Sequence, residues 1–163
     1  MLALDKKELL EALRARLSER LETLVQSQRT SQAGATHEEA RAEHPKDTRA
    51  TEASYLARGL AERVEQTESG LRQVLEFHPT ELGPDEPICL GTLVGVEDEN
   101  GEESIHFLLR VAGGEKISTA GHIIHVVSPD SPLGRELIGR NAGEDFELEL
   151  PRGRVTWTVS WAS

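Results

Sequence analysis

Leu10, Leu13, Leu17, Leu21 and Leu24 recur at steps of three and four in Asp5 to Gln32, a stretch without proline or glycine. That spacing lays one narrow apolar stripe along a long helix, the habit of a coiled-coil seam. Thr51 to Phe77 repeats it with Leu56, Leu60, Val64, Thr67, Leu71 and Val74, and Tyr55 reads as a seam residue beside Leu56 and Leu60. Two such helices fold back on each other as an antiparallel hairpin. Pairing Leu10 with Leu71, Leu17 with Val64 and Leu21 with Leu60 centres the turn near Ala40. Pairing Leu21 with Leu71 and Leu17 with Leu75 moves it toward Pro45. Ala33-Gly34-Ala35 packs poorly across a seam, which favours the first register and a broad tip at about residues 33–48. A short helix opened by a Thr36–Glu39 capping box fits inside that tip.

The second half changes period. Pro79, Gly83, Pro84 and Pro87 mark a linker. Ile88 to Val96 and Ser104 to Val111 read as strands around an acidic turn that ends in Asn100-Gly101, a hairpin signal. Lys116 to Val127 supplies another strand and Pro132 to Ile138 a short helix. The end of the chain alternates strictly. Phe146, Leu148 and Leu150 face away from Asp145, Glu147 and Glu149, and Val155, Trp157, Val159 and Trp161 repeat the pattern after Pro151-Arg152-Gly153. Period two in two runs joined by a glycine turn is a hairpin with one buried face. The fold class is therefore α+β: an N-terminal coiled-coil helical hairpin over 1–77 and a mainly antiparallel sheet with a short helix over 78–163.

Charge divides the chain at the same place. Residues 1–77 hold 14 acids and 12 bases, whereas residues 78–163 hold 15 acids and 6 bases. The total of -11 argues against nonspecific nucleic-acid binding through a basic surface. Cys89 is the single cysteine, so an intramolecular disulfide and a cysteine-based zinc site are both excluded. The N-terminus lacks the apolar run of a signal peptide, and no apolar stretch approaches a membrane span. A soluble cytoplasmic protein is expected.

Ser131-Pro132-Leu133, Leu137-Ile138-Gly139, Gly143-Glu144-Asp145 and Pro151-Arg152-Gly153 follow one another in the order seen in the C-terminal domain of the bacterial Gre transcript-cleavage factors, and the chain resembles that family. The resemblance implies an FKBP-like fold for 78–163 and an RNA-polymerase-binding elongation regulator as the function. It implies that the hairpin enters the secondary channel of the polymerase, while the C-terminal module docks at the rim through Ser131, Pro132 and Leu133. It implies no active site of the protein's own, a monomer, no membrane, and contact with RNA or DNA only inside the polymerase complex.

Gre factors carry acids on the tip in a Gly-Asp-x-x-Glu-Asn-type motif, which brings a second magnesium ion to the polymerase active centre. Magnesium takes carboxylate oxygens and keeps several waters, and two such ions clamp an in-line displacement. This chain lacks that run. Asp47 and Glu52 are the candidate acids and shared metal ligands, with Glu43 and Arg49 as further tip residues. Positions five apart on a continuous helix do not share a face. Lys46 and Arg49 also place positive charge where a divalent cation would sit. Asp47 or Thr48 equally reads as the cap of the second helix.

Transcript cleavage stimulated at the polymerase is one expectation. A channel-binding regulator that does not cleave is the alternative, with a dimerisation coiled coil or a prolyl isomerase ranked below. His37 and His44, seven apart, read as exposed polar residues, and His122 and His125 point to opposite faces of a strand.

Overall fold

Helix α1 spans Lys6–Glu39 and α2 spans Thr48–Glu76. The computed structural model describes residues 4–39, 48–79, 81–83, 85–151 and 153–163, without side chains at 34–39, 48–50 and 150. Leu13–Leu75 forms one compact unit, and the chain up to Ala12 joins Glu76–Ser163 in the other. Asp5 starts α1: its carboxylate accepts from the Lys7 N–H at 2.8 Å and its carbonyl from the Leu9 N–H at 3.1 Å.

Leu13, Leu17, Val64 and Val74 are buried in the hairpin unit. Among the partly or fully buried positions on α2, Ala53, Ala57, Leu60, Val64, Thr67, Leu71 and Val74 alternate steps of four and three, with Ala61, Ser69 and Gly70 partly buried beside them. That is a heptad seam; it keeps the expected Leu60, Val64, Thr67, Leu71 and Val74 and corrects the expectation at the tip end. Tyr55 is 69% exposed and Leu56 61% exposed, so alanines close the tip end of the seam in their place. The Arg14 guanidinium donates to the carbonyls of Val74 at 3.1 Å and Leu75 at 3.2 Å and so ties α1 to the last turn of α2. Helix α1 runs on through Ala33-Gly34-Ala35 to Glu39, where a broad tip with a separate short helix was expected. One internal glycine costs a helix only about 1 kcal/mol, too little to break it between two alanines.

The second unit holds β1 (Leu93–Asp98), β2 (Glu103–Leu108), β3 (Lys116–Thr119), β4 (His122–Val127), α3 (Pro132–Leu137), β5 (Asp145–Leu150) and β6 (Gly153–Ala162). The sheet order is β3-β4-β2-β1-β6-β5, antiparallel except where β2 pairs parallel with β4. The expected single strand over 116–127 is two strands, turned by Ala120-Gly121 with φ of 49° and 80°. Between β1 and β2 the Gly101 N–H reaches the Asp98 carbonyl at 3.0 Å, and Gly101 has φ 79°, a type I turn closed by a glycine bulge.

One sheet face carries Val94, Val96, Leu108, Phe146 and Val159, packed with Ile88 and with Leu137 of α3. The opposite face buries Leu93, Ile105, Phe107, Ile124 and Val126; Leu9 and Leu10 of α1 are buried in the same unit. Trp161 does not share the face of Trp157 and Val159. The β1–β6 register steps from Val96↔Val159 to Gly95↔Trp161, so Ser160 is an extra residue and the phase inverts after it. Trp161 then lies over Gly95, where a Cβ would overlap its indole, and Ala162 takes the next core position.

Helix α3 meets the Ser128 backbone at Gly134, where a Cβ would overlap the Ser128 carbonyl oxygen. Gly134→Ala is expected to lower unfolding free energy by about 1–3 kcal/mol, the usual cost of overpacking. Urea titration measures it, and an unchanged midpoint would contradict this packing.

Candidate functional site

Ser131, Pro132 and Leu133 come together at the start of α3. The Ser131 hydroxyl donates to the Ser128 carbonyl at 2.7 Å and accepts from the Gly134 N–H at 3.0 Å. It thereby satisfies one of the amide donors that a helix start leaves open. Pro132 follows at the first helical position, where a missing N–H costs nothing. Pro132 is exposed, while Leu133 is half-buried against the core of the unit. Arg135 donates twice to the Asp130 carbonyl, at 2.7 and 3.0 Å, and so fixes the loop that enters the helix.

This corner forms one wall of a hollow of about 660 Å³. Leu133 and Leu148 line its sides, Asp130 and Ser131 its rim, and His106 and His125 complete it from neighbouring strands. The two histidines are register partners in the parallel β2–β4 pair, so their side chains leave the same face. Their ring centroids are 5.6 Å apart, and the Trp157 ring lies 6.5 Å from His106. Burial, helped by the neighbouring His125, pulls the His106 pKa down to about 4. The hollow is therefore uncharged at His106 in neutral solution. The His106 Nε2 is 2.9 Å from the Ser104 hydroxyl, and its Nδ1 is buried without a hydrogen-bond partner. His106 did not emerge from the sequence. The one local signal was a histidine set between Ile105 and Phe107 in an apolar strand.

The tip residues are less fully placed. Asp47 and Glu43 lie outside the described residues. Arg49 is the second residue of α2, and its side chain is not described. Glu52 stands exposed one turn into α2, on the helix face it shares with Tyr55 and Leu56. Thr51, Ser54, Tyr55 and Arg58 border a shallow depression on α2. No group of three or more metal-ligating side chains occurs among the described residues. No helix among them is long and apolar enough to cross a membrane.

Residues 84–162 match the family model for the C-terminal domain of the transcription elongation factors GreA and GreB. The chain is 31% identical over 107 residues to transcription elongation factor GreB of Pasteurella multocida, a match spanning 66% of this chain and 59% of the relative. It is 27% identical over 157 residues to transcription elongation factor GreA of a Sulfurovum species, spanning 96% of this chain and 93% of the relative. A solved structure of the transcription factor Gfh1 is similar at 24% identity and a TM-score of 0.42, covering 93% of each chain.

The His106 shift has a consequence for stability. Its pKa is about 4 folded against an ordinary 6.5, so the unfolded chain binds the extra proton between those values. This part of the stability is fully present above the ordinary value and is lost as pH falls toward the folded one. Going from pH 7 to pH 5 should remove about 2 kcal/mol on this account. Urea unfolding at the two pH values should show that loss in the wild type and a smaller one in His106→Phe. An equal loss in both chains would show that His106 is not its source.

Proposed function

Because the chain belongs to the Gre family of transcription elongation factors, we propose that it binds bacterial RNA polymerase, places its hairpin in the secondary channel, and docks at the rim through Ser131, Pro132 and Leu133. The surface of the hairpin carries this reading. Ala53, Ala57 and Leu60 already fill the seam within the chain, yet Tyr55 and Leu56 stand exposed beside Glu52. A purely solvated hairpin has no use for two large apolar side chains there, and adjoining exposed apolar residues mark interaction sites. A dimerisation coiled coil fits less well, since the buried stripe it would offer a partner is already covered within the hairpin unit.

The second reading concerns what the tip does once inside. Asp47 and Glu52 are five residues apart, and Lys46 and Arg49 stand beside Asp47. A carboxylate next to a cation or a helix amide is drawn to that partner over a hydrated magnesium ion. The tip, with no active site of its own, is accordingly a poor recruiter of the magnesium shared with the polymerase. The protein occupies the channel and retunes elongation with little or no stimulation of transcript cleavage.

Purified polymerase and a backtracked transcription complex test both statements. Wild type, Asp47→Ala and Glu52→Ala are expected to bind comparably and to leave RNA shortening near background. Pro132→Asp is expected to weaken binding about tenfold, as loss of one interface hot spot does. Strong shortening that disappears in Asp47→Ala at unchanged binding would restore the cleaving mechanism. Absence of wild-type binding would end the polymerase reading altogether.

A further inference from the structure

Helix α2 ends without a cation of its own, since its last turn holds no basic residue. The last carbonyls of a helix have no partner within it and carry a partial negative charge. Here the cation comes from the other helix. Arg14 of α1 donates from Nη2 to the Val74 carbonyl at 3.1 Å and to the Leu75 carbonyl at 3.2 Å, and from Nε to the Val74 carbonyl at 3.4 Å. Arg14 is half-buried, and all three residues belong to the hairpin unit. The rigid fork of a guanidinium suits two neighbouring acceptors in a way that a single ammonium does not.

The seam beside this contact discriminates weakly between registers. Leu71 can face Leu10 or Leu21 with the apolar stripes still paired, two positions about 16 Å apart along α1. Ala53, Ala57 and Thr67 of the α2 seam are small and give a facing helix little to interlock with. Where apolar positions are interchangeable, a polar residue beside them can specify the register. Arg14 has the selectivity to do so, because only the end of α2 offers it open acceptors. If α2 slides one way, Arg14 faces carbonyls already bonded inside the helix. If α2 slides the other way, Arg14 lies beyond the helix end.

We propose that Arg14 is a positioning residue for the hairpin tip: it reads the C-terminal end of α2 and thereby holds the two helices in one axial register. Register decides which residues form the far end of the hairpin, because a slip lengthens one helix at the expense of the other. Arg14 thus fixes from the base of the hairpin where Glu52 stands, without touching it. The use made of the tip rests on the polymerase reading, whereas the register itself is a property of the free chain.

Pulsed electron spin resonance on the free full chain tests the register. Spin labels replace the exposed Glu19 of α1 and Ser54 of α2, and the exposed Cys89 is changed to serine. The wild-type background should give one narrow distance. Arg14→Ala should add a second population, its axial separation shifted by about 10 Å for a slip of one heptad. Arg14→Lys keeps one charged donor and should leave the first population dominant. Arg14→Ala with Gln73→Arg puts a cation in the last turn of α2, where it favours the helix end without tying it to α1. That chain should recover its thermal midpoint while its distances stay divided. One distance in Arg14→Ala, or its return with Gln73→Arg, would overturn the inference and leave Arg14 a helix cap only. Should the variants fail to fold, nitrogen NMR of the wild-type Arg14 guanidinium decides: restricted rotation with separate Nη signals is expected, and a freely rotating group would overturn the contact. Divided distances without wild-type binding to polymerase would remove the polymerase reading and leave the register claim standing. One distance throughout with intact binding would do the reverse.

Discussion

A six-residue helix cannot sustain itself in water, because nucleation is costly and isolated helices of this length are marginal. Helix α3 exists because its surroundings hold it. Ser131 takes up its first amide and ties it to the Ser128 carbonyl. Gly134 lets the helix backbone settle against Ser128 with no Cβ between them. At the far end, the Ile88 N–H donates to the Arg140 carbonyl at 2.8 Å and the Gly139 N–H donates to the Ile88 carbonyl at 2.9 Å, so the lead into β1 clamps the helix exit. Arg140 also lies over the Phe146 ring, 5.3 Å from its centroid, which joins the exit to β5. Leu137 can then enter the sheet core, Pro132 is presented outward, and Leu133 becomes a wall of the hollow. The candidate docking corner is a by-product of what keeps a short helix folded.

The hairpin unit solves a different problem. Each long helix buries one narrow stripe, and most of its surface stays in solvent. Small alanines at the tip end of α2 keep the stripe closed while leaving large apolar residues free to face outward. An element of this kind spends little of its apolar surface on its own stability and has surface left for a partner.

Much of this was legible in the sequence wherever period alone decides. The leucine stripe of α1, the alternation of Phe146 and Leu148, and the Ser-Pro start of α3 all reappear where they were expected. The failures have physical causes. Hydrophobicity alone marks Leu56 as a seam residue, whereas the heptad phase puts Ala53 and Ala57 inside. The β3–β4 turn was invisible because Ala120 adopts φ 49°, a conformation that favours glycine or asparagine and that strict turn chemistry would not assign to alanine. One bulged residue, Ser160, was enough to carry Trp161 across the sheet. His106 and His125 are 19 positions apart and meet only through a parallel pairing that neither strand announces by itself. The acids assigned to the tip gained least from the structure, since Asp47 and Glu43 fall outside its described residues.

The central claim is that one polymerase complex engages both units of this chain, the hairpin near the active centre and the α3 corner at the channel rim. Photocrosslinking tests it most directly, with the reactive amino acid placed at Glu52 in one protein and at Pro132 in another, each bound to a backtracked transcription complex with labelled RNA. The account predicts that both positions crosslink to polymerase, and that position 52, but not position 132, also reaches the 3′ region of the RNA. Crosslinks from position 132 alone, or RNA crosslinks from position 132, would contradict it.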